Sequence, residues 1–238
     1  MSEIKNISFV IPCFNEVKTI RQIVDRINNA DFKYKKEIII IDDFSTDGSR
    51  DLLQILNQEK TYNIKIIFND KNFGKGYSIR QGLSKATGEL IFIQDADLEY
   101  YPEDLIKIVS IFEKYNCDVV YGSRFSNSKV NRKIYFRHYL GNKFLTFLSN
   151  LLTDLNLNDM ETGVKCFKAS KIKAINLEEN RFGFEPEVTA KLNNIRCKFY
   201  EIDIRYDARS YEEGKKITWK DGIAAVWCIL KYNIWKRS

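Results

Sequence analysis

The chain has 238 residues, 44% hydrophobic and 13% aromatic, enough to bury a substantial core as one domain. Its 38 Lys and Arg against 32 Asp and Glu leave a formal charge of +6 with both signs dispersed. That balance suits an anionic substrate and, without a long basic tract or a binding module, speaks against nucleic acid. Cys13, Cys117, Cys166, Cys197 and Cys228 are odd in number, widely spaced and without a CxxC pair, so they read as reduced packing residues of a cytoplasmic chain, not a disulfide frame or a zinc site. The charged N-terminus is no secretory signal. The longest apolar run, 222–230, is half of what a membrane span needs.

In chain order, short β-rich runs that are apolar on both faces fall at 8–12, 38–42, 64–68, 90–94 and 118–122, with Pro12 ending the first. Helical spacing fills the gaps at 17–29, 48–59, 75–86 and 103–115; Ile20, Ile23, Val24 and Ile27 form one stripe, and Leu105, Ile108, Val109 and Phe112 another. Strand then helix, four times over, predicts a mainly parallel sheet with right-handed crossovers and a ligand site at the carboxyl ends of its strands. Those ends are polar: Pro12, Asn15 and Glu16; Asp42 and Asp43; Asn69, Asp70 and the 72–76 loop; Gln94, Asp95 and Asp97; Gly122, Ser123 and Arg124. Beyond them, 134–152 reads as a helix rich in large apolar side chains, 200–206 as a strand and 218–235 as an apolar helix. No linker divides the two portions, so 1–238 reads as a single domain with a first half to about 125 and a pocket-closing half beyond.

Two carboxylates one residue apart at a strand end, Asp95 and Asp97, can share a divalent cation whose shell is completed by phosphate oxygens and water; the plainer reading is strand termination and helix capping. Asp42 can accept hydrogen bonds from a base or ribose, with a capped turn as the plainer reading. Gly74 and Gly76 flank Lys75 in neither the P-loop nor the GxGxxG pattern, leaving Lys75 to face a phosphate or the rim carboxylates. Cations for a pyrophosphate leaving group are Arg124, Arg132, Arg137, Arg209, Lys215 and Lys216. His138, the only histidine, lies among apolar residues and makes a poor catalytic base.

Taken together, "VIPCFNE" (10–16), "IIDDFSTDGS" (40–49), "NFGKGYSIRQGLSKATGE" (72–89), "QDADLEYYPED" (94–104), "YGSRF" (121–125), "DMETGVKCFKA" (159–169), "FGFEPEVTAKL" (182–192) and "RSYEEGKKITWKDG" (209–222) resemble, in order and spacing, family 2 glycosyltransferases of the GT-A fold. Within that group they resemble the dolichol- and polyprenyl-phosphate sugar transferases. The resemblance implies an α/β, Rossmann-like sheet flanked by helices, with a C-terminal acceptor-side extension. It implies that Pro12, Asn15, Glu16 and Asp42, in a donor set that also includes Asp43, Lys75, Gln94, Asp95 and Ala96, hold a UDP- or GDP-sugar, and that Asp95 and Asp97 bind Mg²⁺ or Mn²⁺. Arg124, Arg209 and one of Lys215 or Lys216 would contact phosphate, with Arg137 a further candidate. Asp159 and Thr162 would lie in the acceptor region, and Glu185 and Glu187 near the sugar or the metal-side loop. The family commonly has glycine where this chain has Phe44.

The leading expectation is therefore an inverting, metal-dependent transfer of a hexose to polyprenyl phosphate, dolichyl or undecaprenyl, whose anionic oxygen attacks without a side-chain base. A saccharide or protein hydroxyl is the alternative acceptor, and would need Asp159 or Glu185 as base. A non-catalytic sugar-nucleotide-binding protein is the remote reading. A lipid acceptor also implies peripheral contact of 134–152 and 218–235 with the cytoplasmic face of a membrane, while core packing or a homo-oligomer is the competing use of those helices.

Overall fold

The computed structural model describes residues 4–59, 61–125, 135–209 and 219–236. A seven-stranded sheet is the backbone of the molecule, in the order β3-β2-β1-β4-β6-β5-β7. The strands are β1 (Asn6–Cys13), β2 (Lys35–Asp42), β3 (Ile64–Phe68), β4 (Leu90–Ile93), β5 (Val119–Ser123), β6 (Lys165–Lys168) and β7 (Phe199–Asp203). β1 to β4 pair in parallel, as do β5 and β7, whereas β6 runs antiparallel between β4 and β5. The sheet is thus mixed, and its fourth and fifth strands are separated by one that the sequence reading did not find. The pattern of β6, "KCFK", has lysines at both ends and no alternation long enough to register.

Helices cover both faces. α1 (Ile20–Asn29), α2 (Ser49–Gln58) and α4 (Leu105–Lys114) bury their apolar stripes against Phe9, Ile11, Ile38, Ile40 and Phe92. The alternate strand residues Val10, Ile39, Ile41, Ile91 and Ile93 face α3 (Lys75–Lys85), α5 (Phe136–Thr153), α7 (Phe184–Asn194) and α8 (Trp219–Leu230). This two-sided burial explains the unbroken isoleucine run of β2. A short helix, α6 (Ala169–Ile172), follows β6, and a π-helical turn (Lys231–Trp235) follows α8.

Several boundaries shift from the sequence expectation for local reasons. β1 continues through Pro12 to Cys13, paired with Asp42. α1 begins at Ile20 because Glu16–Thr19 make a turn closed by hydrogen bonds onto the Glu16 carbonyl. α7, not read as a helix from the sequence, starts with Glu185 and Glu187 buried in its first turn.

At the edge of the sheet where the parallel strands begin, Glu37 ties three segments together. It accepts from Ser8 Oγ at 2.5 Å, from Thr87 N at 2.5 Å and from Lys65 Nζ at 2.9 Å. Burial pushes its carboxyl up, but these bonds outweigh it and hold the group at about 2.

The helix expected at 134–152 divides its residues sharply. α5 buries Leu145, Thr146, Ser149 and Thr153 and exposes Phe136, Leu140, Phe144, Phe147 and Leu151. Alongside it, α8 and the following turn expose Ile223, Trp227, Ile234 and Trp235. No helix among the described residues is long and apolar enough to cross a membrane.

Candidate functional site

The parallel strands β1, β2 and β4 end at one edge of the sheet, and the polar residues that follow them converge there. After β4, the Gln94 N–H donates to the Val10 carbonyl at 3.1 Å, carrying the chain on to Asp95 and Asp97. Leu98 then takes φ +52°, the left-handed region. Glu99 accepts from the Arg209 N–H at 2.9 Å and from the Tyr206 hydroxyl at 3.0 Å, so it anchors the incoming arginine.

The two aspartates are balanced by side-chain cations. Lys75 Nζ stands 2.8 Å from Asp95 Oδ1 and 2.9 Å from Glu185 Oε1. Burial disfavours its ammonium, but the charges of Asp95 and Glu185 more than compensate and keep it protonated. Arg209 reaches Asp97 Oδ2 at 3.0 Å and both Glu16 oxygens at 3.1 and 3.2 Å. Burial, then the charges of Glu99 and Asp95, push the Asp97 carboxyl up to about 8, against Arg209.

Asp43 does something different from the donor binding expected of it. Its oxygens accept from Asn69 Nδ2 at 2.8 Å, Phe73 N at 2.9 Å and Gly74 N at 2.7 Å, so they shape the loop into α3. Gly74 holds φ +101°, and a Cβ there would strike the Asn180 carbonyl at 2.5 Å. The glycines around Lys75 therefore let the 179–181 segment close over the start of α3. Asp42 is fully buried, with Arg50 Nε 3.8 Å from Oδ2. Asn15, at φ +53°, accepts from Thr46 N at 2.8 Å and so joins the loops after β1 and β2. Pro12 lies within β1, and Gln94 and Ala96 are buried on either side of Asp95. Phe44 adopts φ +66°, a conformation glycine takes without strain, and its ring is exposed at the rim.

Opposite the aspartates, Arg124 makes a forked pair with buried Asp159, Nε to Oδ2 and Nη2 to Oδ1, both at 2.7 Å. Glu201 in turn fixes Asp159, accepting its N–H at 2.9 Å. Thr162 donates to the Gly122 carbonyl at 2.5 Å. Arg137 lies exposed in the first turn of α5, and His138 packs near Tyr135. Glu187 is spent on the backbone N–H groups of Glu178 and Glu179 and on Lys191, away from the rim. Arg132, Lys215 and Lys216 lie outside the described residues.

The sequence reading missed Gly163, Glu161 and Lys165. A Cβ at Gly163 would collide with the Asp95 carboxylate, so the 159–163 loop sits directly on Asp95. Lys165 is buried with its Nζ on the Met160 and Thr162 carbonyls. The glycine in "ETGVK" is the one sequence signal that could have flagged this loop.

The residues present fit a divalent cation in one specific way. Asp95 and Asp97 are hard oxygen donors suited to Mg²⁺ or Mn²⁺. Among the described residues no group of three or more His, Cys, Asp or Glu is arranged to hold a metal, so a cation here needs oxygens from a ligand or water.

The glycosyl transferase family 2 model matches residues 8–176. The chain belongs to that family. It is 26% identical over 217 residues to undecaprenyl-phosphate 4-deoxy-4-formamido-L-arabinose transferase of Pectobacterium atrosepticum, covering 90% of this chain and 64% of that protein. It is 29% identical over 185 residues to dodecaprenyl-phosphate galacturonate synthase of Rhizobium johnstonii, covering 74% and 52%. The chain thus spans about half to two thirds of these relatives. Among solved structures it is similar to glucosyl-3-phosphoglycerate synthase from Mycobacterium tuberculosis in complex with Mn²⁺, UDP and glucosyl-3-phosphoglycerate, with a TM-score of 0.74, 15% identity and coverage of 96% and 80%. It is also similar to Staphylococcus aureus TarS in complex with UDP-GlcNAc, with a TM-score of 0.65, 17% identity and coverage of 96% and 66%. At those identities the likeness is one of fold, and the fold is of the GT-A type.

Proposed function

We propose that this family 2 member transfers a hexose from a nucleoside diphosphate sugar, with a divalent cation at Asp95 and Asp97. The observation that carries the reading is the charge arrangement after β4: two aspartates one residue apart, each facing a side-chain cation, with one long backbone hydrogen bond, Glu99 N–H to Asp97 Oδ1 at 3.3 Å, against the two short ones that Asp43 accepts. When bound, the metal supplies charge neutralisation for the departing diphosphate.

The chain's own residues supply the rest. Asn15 and Glu16 line the nucleotide side of the rim. Arg209 links Glu16 to Asp97 and so spans the nucleotide and metal sides, where a guanidinium stabilises phosphate. Arg124 is held rigid by the fork to Asp159, which leaves Nη1 free of that pair to meet a phosphate.

For the acceptor, a hydroxyl has the firmer structural support. Of the two candidate bases, Asp159 has both oxygens engaged by Arg124, while Glu185 keeps Oε2 without a hydrogen-bond partner. The fold neighbours include a synthase solved with phosphoglyceric acid, a small hydroxy acid. A polyprenyl phosphate acceptor is favoured by a different observation, the exposed apolar row of α5, which begins near Arg124 through the edge-to-face contact of Phe125 with Tyr139 at 5.3 Å. The curated relatives carry prenyl-phosphate names as well.

The test incubates the purified protein with a panel of radiolabelled UDP- and GDP-sugars and Mg²⁺, Mn²⁺ or EDTA. One arm offers short-chain polyprenyl phosphate, the other phosphorylated hydroxy acids and oligosaccharides. Metal-dependent label in a water-soluble product supports the hydroxyl reading, and label in the organic phase supports the lipid reading. A lipid acceptor also requires flotation with anionic liposomes. No metal-dependent turnover or hydrolysis of any donor would remove the transferase reading.

A further inference from the structure

The 159–163 loop is pinned on both sides of Glu161. Lys165 Nζ donates to the carbonyls of Met160 and Thr162, on either side of Glu161. The Met160 N–H donates to Thr146 Oγ1 at 3.1 Å, the Thr162 hydroxyl to the Gly122 carbonyl at 2.5 Å, and the Gly163 N–H to the Tyr100 hydroxyl at 2.8 Å. Glu161 Oε1 is sealed from solvent yet has no hydrogen-bond partner, and the same holds for Oε2 of Glu185, which is 4% exposed. The two carboxylates feel each other's charge, and Glu161 also feels Lys165, Arg124 and Asp159. The pair sits beside the metal side of the rim, because Lys75 joins Glu185 to Asp95 and Gly163 abuts Asp95.

A buried carboxylate oxygen without a donor costs about 1–3 kcal/mol or more, and such an orphan calls for a ligand or a water. Burial, then the charge of Glu185, pushes the Glu161 carboxyl up to about 8, and the two orphaned oxygens, one on the 159–163 loop and one in the first turn of α7, lie near aspartates suited to a metal. A pyranose presents several hydroxyl groups that can meet such oxygens.

We infer that Glu161 recognises the transferred sugar, accepting hydrogen bonds from its hydroxyl groups beside Glu185, and so determines donor specificity. The inference rests on the nucleotide-sugar reading above and holds for either acceptor. Lys165 acts through Glu161 by fixing the backbone on both sides of it, and is a positioning residue.

The test is calorimetric titration of wild type, Glu161→Gln and Glu161→Ala with UDP or GDP alone and with the corresponding sugar nucleotides, in Mn²⁺, after circular dichroism has verified folding. The expected result is nucleoside diphosphate affinity within twofold of wild type and sugar-nucleotide affinity at least tenfold weaker, with reduced preference among sugars. Glu161→Gln keeps the side-chain shape and carries the test if the alanine variant unfolds. Equal weakening of both ligands would overturn the inference in favour of a distorted loop, and no change in either would assign the oxygen to a buried water. Wild type that binds neither ligand would instead overturn the nucleotide-sugar reading itself.

Discussion

Two aspartate pairs end the strands on either side of β1, and the molecule uses them in opposite ways. Asp43, after β2, spends its oxygens on backbone N–H groups and an asparagine, and Asp42 beside it is sealed in. Asp95 and Asp97, after β4, are opposed by Lys75 and Arg209. A backbone N–H group is fixed with the fold, so the first pair is committed to holding a loop. A lysine or arginine tip can swing aside, so the second pair can change partners when a metal and a diphosphate arrive. Similar acidic pairs at equivalent strand ends therefore hold a loop in one case and face displaceable side-chain cations in the other.

The comparison breaks most visibly if the wrong pair is the active one. Asp95→Asn is expected to lower metal-dependent sugar transfer by at least a hundredfold, comparable with the loss of an electrostatic stabiliser, while the urea midpoint stays near wild type; steady-state kinetics and urea unfolding together check this. Asp43→Ala should do the reverse. It orphans three donors and is expected to cost about 3 kcal/mol of stability, read as a lower urea midpoint at unchanged m.

Glu37 sharpens the same contrast at the opposite edge of the sheet, where an acid serves stability alone. Glu37→Gln is expected to cost about 2 kcal/mol and leave nucleotide affinity unchanged by calorimetry. Because the folded carboxyl sits at about 2, below its ordinary 4.5, its contribution is present above pH 4.5 and is lost as pH falls toward 2. Wild-type stability should therefore decline over that window more steeply than that of the Gln variant. The smallest effect belongs to Phe44→Gly, which relieves a left-handed backbone and should raise stability by about 0.5 kcal/mol in the same unfolding assay.

The alternating first half was legible because each of its strands is apolar on both faces and each crossover helix carries its own stripe: Ile38–Ile41 and Ile20–Ile27 announce themselves. The second half builds its part of the site from interior charge. Lys165 in β6 and Glu185 and Glu187 in α7 read as surface residues by type, and only the fold reveals that backbone carbonyls hold Lys165, Lys75 pairs with one oxygen of Glu185 and the 178–179 loop satisfies Glu187. The rim aspartates could be read from strand-end spacing, but not the division of labour between them, since nothing in "DD" or "DAD" tells which oxygens meet a backbone N–H. Gly163 and Glu161 escaped for a related reason: Gly163 meets Asp95 and Tyr100 more than 60 positions away, and Glu161 feels the charge of Glu185 on another element.

The central claim is that the aspartates after β4 bring a divalent cation to a nucleoside diphosphate. The most direct measurement is calorimetric binding of UDP and GDP to wild type and Asp97→Asn, each in Mn²⁺ and in EDTA. The account predicts that wild type binds one of them with Mn²⁺ and at least tenfold more weakly in EDTA, and that Asp97→Asn loses the metal-dependent gain while remaining folded. Binding that is equal with Mn²⁺ and with EDTA, and equal in the two proteins, would contradict it.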